Sequence, residues 1–196
     1  MILSLVILLL IVFLLVILSM VWPPDSPWAP WWRTSDAKIR ESLKLAKVKK
    51  GDIVYDLGSG DGRMLIIAAR EFGARGLGIE IDPLRAFISK ILVRFNRVSD
   101  RVEIVRRSFF DVDISDATVV FMYLVPKALE RLKPKLLKEL KPGTRIVTVT
   151  YPIPGGLNNK VSKEEPKSLG IKKSFHLYAL LKKDTRKIFL YIIPKK

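Results

Sequence analysis

The sequence predicts an α/β protein: a doubly wound, mostly parallel sheet of seven strands, preceded by an N-terminal transmembrane helix. Three observations carry that expectation. From residue 34 onward, apolar runs of strand length alternate with amphipathic helical runs, the pattern of a parallel sheet covered on both faces. A glycine-rich turn, Gly58-Ser59-Gly60-Asp61-Gly62, follows the first of those strands, where open α/β sheets bind their ligands. Ahead of both, residues 1–24 contain no charged residue.

The N-terminal run is Leu, Ile, Val, Phe and Met up to Trp22, broken only by Ser4 and Ser19. As a helix it would rise roughly 30 Å, the hydrocarbon thickness of a bilayer. A secretory signal peptide would carry a basic start and a small-residue cleavage site, and neither is present. Residues 1–22 are therefore expected to form a single-pass anchor in contact with membrane lipid. Arg33, Lys38, Arg40, Lys44 and Lys47 follow the run and nothing basic precedes it. The positive-inside bias then puts the N-terminus outside and the rest of the chain in the cytoplasm. All four tryptophans, Trp22, Trp28, Trp31 and Trp32, fall in or beside the Pro-rich stretch 23–33, which reads as a juxtamembrane stalk with an interfacial belt. The same rings suit the capping of a core or a ligand pocket, and both roles stay open.

The elements then follow in order. Thr34 or Ser35 N-caps a helix that opens at Asp36 and sets Ile39, Leu43 and Ala46 on one face. Lys50-Gly51-Asp52 ends it, and Ile53 to Leu57 is a strand. Met64 to Phe72 is a helix stopped by Gly73. Gly76 to Ile81 is the second strand, and Pro83 opens a helix to about Val98. Arg101 to Val105 and Ala117 to Leu124 are strands, with a helix from Pro126 to Leu140 after them. Thr144 to Thr150 is a β-branched strand. Phe175 to Leu181 and Lys187 to Ile193 flank Lys-Lys-Asp-Thr as a hairpin. Residues 152–172 have no strong periodicity and read as a lid or a plain connection.

Composition excludes several chemistries. Zero Cys removes thiol nucleophiles, disulfides and zinc ribbons, and one His, His176, leaves no His-based metal site. No metal is expected. The chemistry concentrates in Asp56-Leu57-Gly58-Ser59-Gly60-Asp61-Gly62-Arg63, whose glycines bring backbone N–H groups close to a ligand. Glu80 lies 24 residues past Asp56, near the offset of about 20 at which an acid accepts ribose hydroxyls. The loop lacks the third glycine of the dinucleotide fingerprint and the lysine of a phosphate-binding loop. An acid at the strand end repels a pyrophosphate and suits a cationic or zwitterionic ligand.

These residues resemble a family. Asp56 to Arg63 is similar to motif I of the class I, seven-stranded S-adenosylmethionine-dependent methyltransferases, and Gly78-Ile79-Glu80-Ile81-Asp82 is similar to their second-strand motif. With Tyr123-Leu124-Val125-Pro126 and Leu140-Lys141-Pro142-Gly143-Thr144-Arg145, residues 34–196 resemble the archaeal protein lysine methyltransferases and their mitochondrial relatives. The resemblance implies S-adenosyl-L-methionine as cofactor, with Asp56, Gly58 and Gly60 around its methionine part and Glu80 on its ribose. Thr34 takes the place of a threonine near the methionine carboxylate. Where the class has an acid or amide on the adenine amine, this chain has Ser108, followed by Phe109; Asp111 is the nearby acid. Tyr123, at the end of the fourth strand, is expected on the acceptor side, with ordinary strand packing as its other reading. The chain lacks the Asn/Asp-Pro-Pro-Tyr signature of many DNA and glutamine N-methyltransferases, which counts against nucleic-acid bases as acceptors.

Charge is uneven. Residues 125–196 hold 18 Lys plus Arg against 5 acids, so +13 of the chain's +16 lies there. Such a surface attracts acidic partners or anionic headgroups, or is simply a solvated lysine-rich face. The resulting expectation is a membrane-anchored methyltransferase acting on protein lysines. A small or lipid-like acceptor and a non-catalytic cofactor-binding module are the alternatives.

Overall fold

The order of the strands decides where this protein can work. In the computed structural model, which describes residues 2–21, 32–157 and 187–194, a six-stranded sheet runs β3-β2-β1-β4-β5-β6. Its strands are β1 (Ile53–Leu57), β2 (Arg75–Glu80), β3 (Val102–Arg106), β4 (Val119–Met122), β5 (Arg145–Val149) and β6 (Ile188–Ile192). The first five are parallel, and β6 runs antiparallel beside β5. Chain order reverses between β1 and β4, which opens a crevice beyond their carboxyl ends. The expected seventh strand, 175–181, and its hairpin turn lie outside the described residues. Of the expected antiparallel ending, the described part is the pairing of β6 with β5.

Helices cover both faces. On one lie α2 (Asp36–Leu45), α3 (Arg63–Phe72) and α4 (Pro83–Phe95); on the other lies α5 (Pro126–Glu139). The strands are apolar on both sides, as burial under two helical layers requires. Val54, Phe121 and Val147 share a core layer with Leu43, Leu65 and Val93, while Leu57, Met122 and Ile146 share the other with Leu129, Leu132 and Leu136. The last three leucines form one stripe of α5, and all are fully buried. That packing holds α5 together although Pro134 on its exposed side lacks an N–H. The caps sit where the sequence puts them. The Ser35 side chain accepts from the Lys38 N–H, Pro83 opens α4, and Gly73 ends α3 in a left-handed conformation. Gly78 has a packing reason: a Cβ there would lie 2.6 Å from Ile104 Cδ1 and 2.9 Å from Leu65 Cδ1.

The N-terminal helix α1 (Ile2–Val21) forms as expected, but its expected role is corrected. Among the described residues, no helix is long and apolar enough to cross a membrane. That finding overturns the single-pass anchor, its lipid contact, the outside N-terminus and the cytoplasmic placement derived from it. Trp22, Trp28 and Trp31 of the expected stalk lie outside the described residues, as does His176.

At the amino ends of the strands, one ionic brace ties four elements. Asp52, just before β1, accepts from the Lys49 N–H (2.9 Å), the Thr118 hydroxyl (2.8 Å) and the Arg145 guanidinium. Arg145 also donates to the Ala46 and Lys47 carbonyls past the end of α2. Burial alone would push the Asp52 carboxyl up; the bonds from Lys49, Arg145 and Thr118 outweigh it and hold it below its ordinary value. Replacing Arg145 by Met strands a buried carboxylate and should cost about 3 kcal/mol of stability. Because the folded value is depressed, this contribution is present above the unfolded carboxylate range and lost as pH falls through the folded value. Urea titrations of the two proteins should differ by a constant amount from about pH 5 to 7 and converge in acid well below about pH 4.

Candidate active site

The crevice at the β1/β4 reversal is built by backbone first. Gly58 leaves β1 with φ of 90°, a conformation that favours glycine, and the Gly58 and Ser59 N–H groups both donate to the Ile79 carbonyl at 2.9 and 3.1 Å. This folds the loop back over the end of β2. Glu80 ends that strand with both carboxyl oxygens held: the Gly60 N–H donates to Oε2 at 2.7 Å, and the Asp82 N–H to Oε1 at 3.0 Å. Asp82 then caps α4 by accepting from the Arg85 N–H at 2.8 Å.

Three carboxyl groups meet here. Asp56 and Glu80 are buried, and Asp61 is about one-fifth exposed. Burial pushes the Asp56 carboxyl well above its ordinary value, and the Glu80 and Asp61 charges push it the same way. Glu80 is also raised by burial, against the pull of the Asp82 and Gly60 N–H groups. Asp61 is raised by burial, opposed by Arg33, whose Nε lies 3.4 Å away. Arg63, the first residue of α3, reaches Asp36 at 2.7 Å and Asp61 at 3.5 Å. These ion pairs bring residues 32–36 against the loop.

The cleft opens to solvent around a cavity of about 80 Å3. Of the residues expected from sequence, Thr34, Asp56, Gly58, Gly60, Glu80, Phe109 and Tyr123 line it. Ser108 and Asp111 are not on its lining: the Ser108 hydroxyl accepts from the Phe110 N–H at 3.2 Å, and Asp111 is exposed. Trp32 also lines the cleft, as one of the two roles left open for the tryptophans allows, and so do Arg33, Phe121 and Arg85, which the sequence did not assign to it. Phe121 was reachable from Tyr123, because residues two apart share a strand face. Arg85, buried within the first turn of α4, carries no such signal.

This geometry is similar to that of known proteins. Residues 56–160 match the ANTKMT methyltransferase domain. A protein-lysine N-methyltransferase of Saccharolobus islandicus (strain REY15A) is 46% identical over 140 residues, 71% of this chain and 87% of that protein. The chain belongs to this methyltransferase family. It is also 32% identical to the adenine nucleotide translocase lysine N-methyltransferase of Mus musculus, over 64% of this chain and 54% of that one. A lysine N-methyltransferase of Xenopus laevis, named for ATP synthase, is 27% identical, over 69% and 59%. The methyltransferase thus spans little more than half the length of these two animal relatives. The crystal structure of an RNA methyltransferase from Salinibacter ruber, in complex with S-adenosyl-L-homocysteine, superposes with a TM-score of 0.69 at 33% identity, over 84% of this chain and 95% of that one.

The enzyme's cofactor is S-adenosyl-L-methionine, and the cleft fits it on two counts. Both Glu80 oxygens are fixed by single N–H donors, which leaves lone pairs for hydroxyl groups. The carboxyl groups of Asp56, Asp61 and Glu80 complement a ligand bearing a sulfonium and an ammonium. The same charges set a pH dependence. Protonation removes the attraction, and raised carboxyl values move that loss above the ordinary range near about 4. Calorimetric affinity for S-adenosylmethionine should fall on acidification from neutral pH, beginning above the ordinary carboxylate range, and more steeply than affinity for S-adenosylhomocysteine, which lacks the sulfonium charge. Asp56→Asn should flatten the difference, weaken S-adenosylmethionine at neutral pH by about tenfold (1.4 kcal/mol) or more, and raise the melting temperature of the cofactor-free protein. That rise is expected because a raised folded value makes the ionised form destabilising above it.

Proposed function

We propose that this methyltransferase modifies lysine side chains of proteins. The observation that carries the reading is the 46% identity with a protein-lysine N-methyltransferase, over 87% of that protein. The cleft supports it chemically. Beside the carboxyl groups, its walls are aromatic and apolar at Phe121, Tyr123, Leu124 and Trp32. Apolar surroundings favour a neutral amine over an ammonium, and only the neutral amine has the lone pair that attacks. When bound, the cofactor supplies an activated methyl group on a sulfonium.

The chain's own work is positioning and desolvation. Asp56, Gly58 and Gly60 are assigned to the methionine part and Thr34 to its carboxylate, with Glu80 on the ribose hydroxyls and Phe109 against the adenine. Ser108 or Asp111 would serve the adenine amine only after a rearrangement of the 108–111 turn. Tyr123 lies past the end of β4, two residues after Phe121, which is in register with Asp56. Its hydroxyl is assigned to the acceptor side, orienting the amine. Two of the relatives are named for particular acceptors, ATP synthase and the adenine nucleotide translocase. For this chain the acceptor proposed is the class, protein lysine.

A second reading, RNA as acceptor, has one observation in its favour, the Salinibacter ruber RNA methyltransferase at 33% identity, and the net charge of +16 is compatible with it. One experiment separates the readings. The full chain is incubated with methyl-labelled S-adenosylmethionine and a cell extract, with Asp56→Ala as blank. Label should appear on protein bands, survive base and ribonuclease, and hydrolyse to Nε-methyllysine. Ribonuclease-sensitive label would replace the reading with RNA, and label confined to the lipid extract would replace it with a lipid-like acceptor. In the same assay Tyr123→Phe should lower turnover by about tenfold, or 1.4 kcal/mol of barrier, with cofactor affinity unchanged.

A further inference from the structure

Trp32 is a large side chain of the cleft that the cofactor assignments leave unused. Its indole lines the cleft yet stays 65% exposed, and an aromatic ring of that size gains by being covered. It is also held at the mouth rather than merely near it. On its C-terminal side, Arg33 Nε lies 3.4 Å from Asp61, Asp36 is paired to Arg63 at 2.7 Å, and Ser35 caps α2. Tyr123, half-buried, lines the same cleft from the end of β4.

We propose that Trp32 is an acceptor-recognition residue, one aromatic wall of a channel shared with Tyr123 that takes the lysine side chain and holds its methylated ammonium. This inference rests on the lysine reading above. A lysine side chain presents four methylene groups and then a cation, and aromatic faces match both halves. Methylenes pack on the ring, and the charge is attracted to its negative face. Each added methyl makes the cation less hydrated, so the ring competes better with water for a methylated ammonium than for a bare one. A basic side chain in place of Trp32 would repel the acceptor, and a carboxylate would hold it by charge alone, without discriminating methylation.

The test uses the full chain carrying Trp22→Phe, Trp28→Phe and Trp31→Phe, so that Trp32 supplies the indole fluorescence. With S-adenosylhomocysteine present, it is titrated with Nα-acetyl-Nε-trimethyllysine methylamide and with its neutral carbon isostere, which has a tert-butyl end. A saturable change with the cation, at least about fivefold tighter than with the isostere and lost in Tyr123→Ala, is the expected result. No saturable change, or equal response to the isostere, overturns the proposal.

A second readout separates acceptor recognition from a loss of folding. Trp32→Ala should lower the initial rate of extract labelling at dilute extract and recover most of it at concentrated extract, with the affinity for S-adenosylhomocysteine unchanged and with rescue by Trp32→Phe. Weakened S-adenosylhomocysteine binding would instead make Trp32 a cover for the cofactor and overturn the proposal. Should the unmutated chain form no methyllysine at all, the lysine reading itself fails. Should it form methyllysine while Trp32→Ala labels like the unmutated chain at every dilution, only the present inference fails.

Discussion

Everything at this site depends on holding three carboxyl groups together at the end of a parallel sheet. Asp56 and Glu80 are buried and Asp61 lies beside them. Desolvation and mutual repulsion both disfavour their charged forms. The fold tolerates this because the cluster forms where strand order reverses, at an end of the sheet that the crossing helices leave open. Backbone N–H groups of Gly60 and Asp82 take up both oxygens of Glu80. Arg33 and Arg63 take up Asp61. At Asp56 burial and like charge act in the same direction, and together they push its carboxyl well above its ordinary value.

The opposite end of the sheet shows how the same chemistry looks when it serves stability. Asp52 is as buried as Asp56, but it accepts from a main-chain N–H, a hydroxyl and a guanidinium. One aspartate is driven down and the other up at opposite ends of a single short strand. Stability is thus concentrated at the amino ends of the strands and in the two apolar layers. The carboxyl ends carry an electrostatic cost that a cationic ligand offsets. Such a division is usual where binding needs charge that folding does not.

Much of this was legible in the sequence, and the reasons are local. The strand-loop-helix at Asp56 to Arg63 is written in contiguous residues whose conformations only glycine adopts easily, and Glu80 follows from the length of one strand-helix-strand unit. Ser35, Gly73 and Pro83 mark helix ends by chemistry that acts within a turn. What could not be read are the pairs far apart in the chain: Arg145 with Asp52 and Arg63 with Asp36. Each depends on which helix packs beside which, and periodicity is silent on that. Ser108 shows the converse. Alignment along the chain puts it at the adenine position, whereas the local preference of a serine hydroxyl for a main-chain N–H two residues on turns it into its own loop. The apolar N-terminal run is legible as a helix, but the membrane-spanning role read from its composition is not met by any helix among the described residues.

With lysine as the proposed acceptor, the cleft's polarity also matches the direction in which charge must move. Methyl transfer to an amine carries one unit of positive charge from the sulfonium side to the acceptor nitrogen. A cleft negative everywhere would hold the starting arrangement as tightly as the final one, and binding shared equally by ground and transition states does not speed the reaction. Here the ionic groups cluster at Asp56, Asp61 and Glu80, while Phe121, Tyr123 and Trp32 supply the wall beyond them. Aromatic faces attract a cation but do not protonate or pair with it as a carboxylate would. They therefore favour the positive charge as it arrives on the nitrogen, and they hold the strongly hydrated ammonium of an unmodified lysine less firmly than a carboxylate at the same place would.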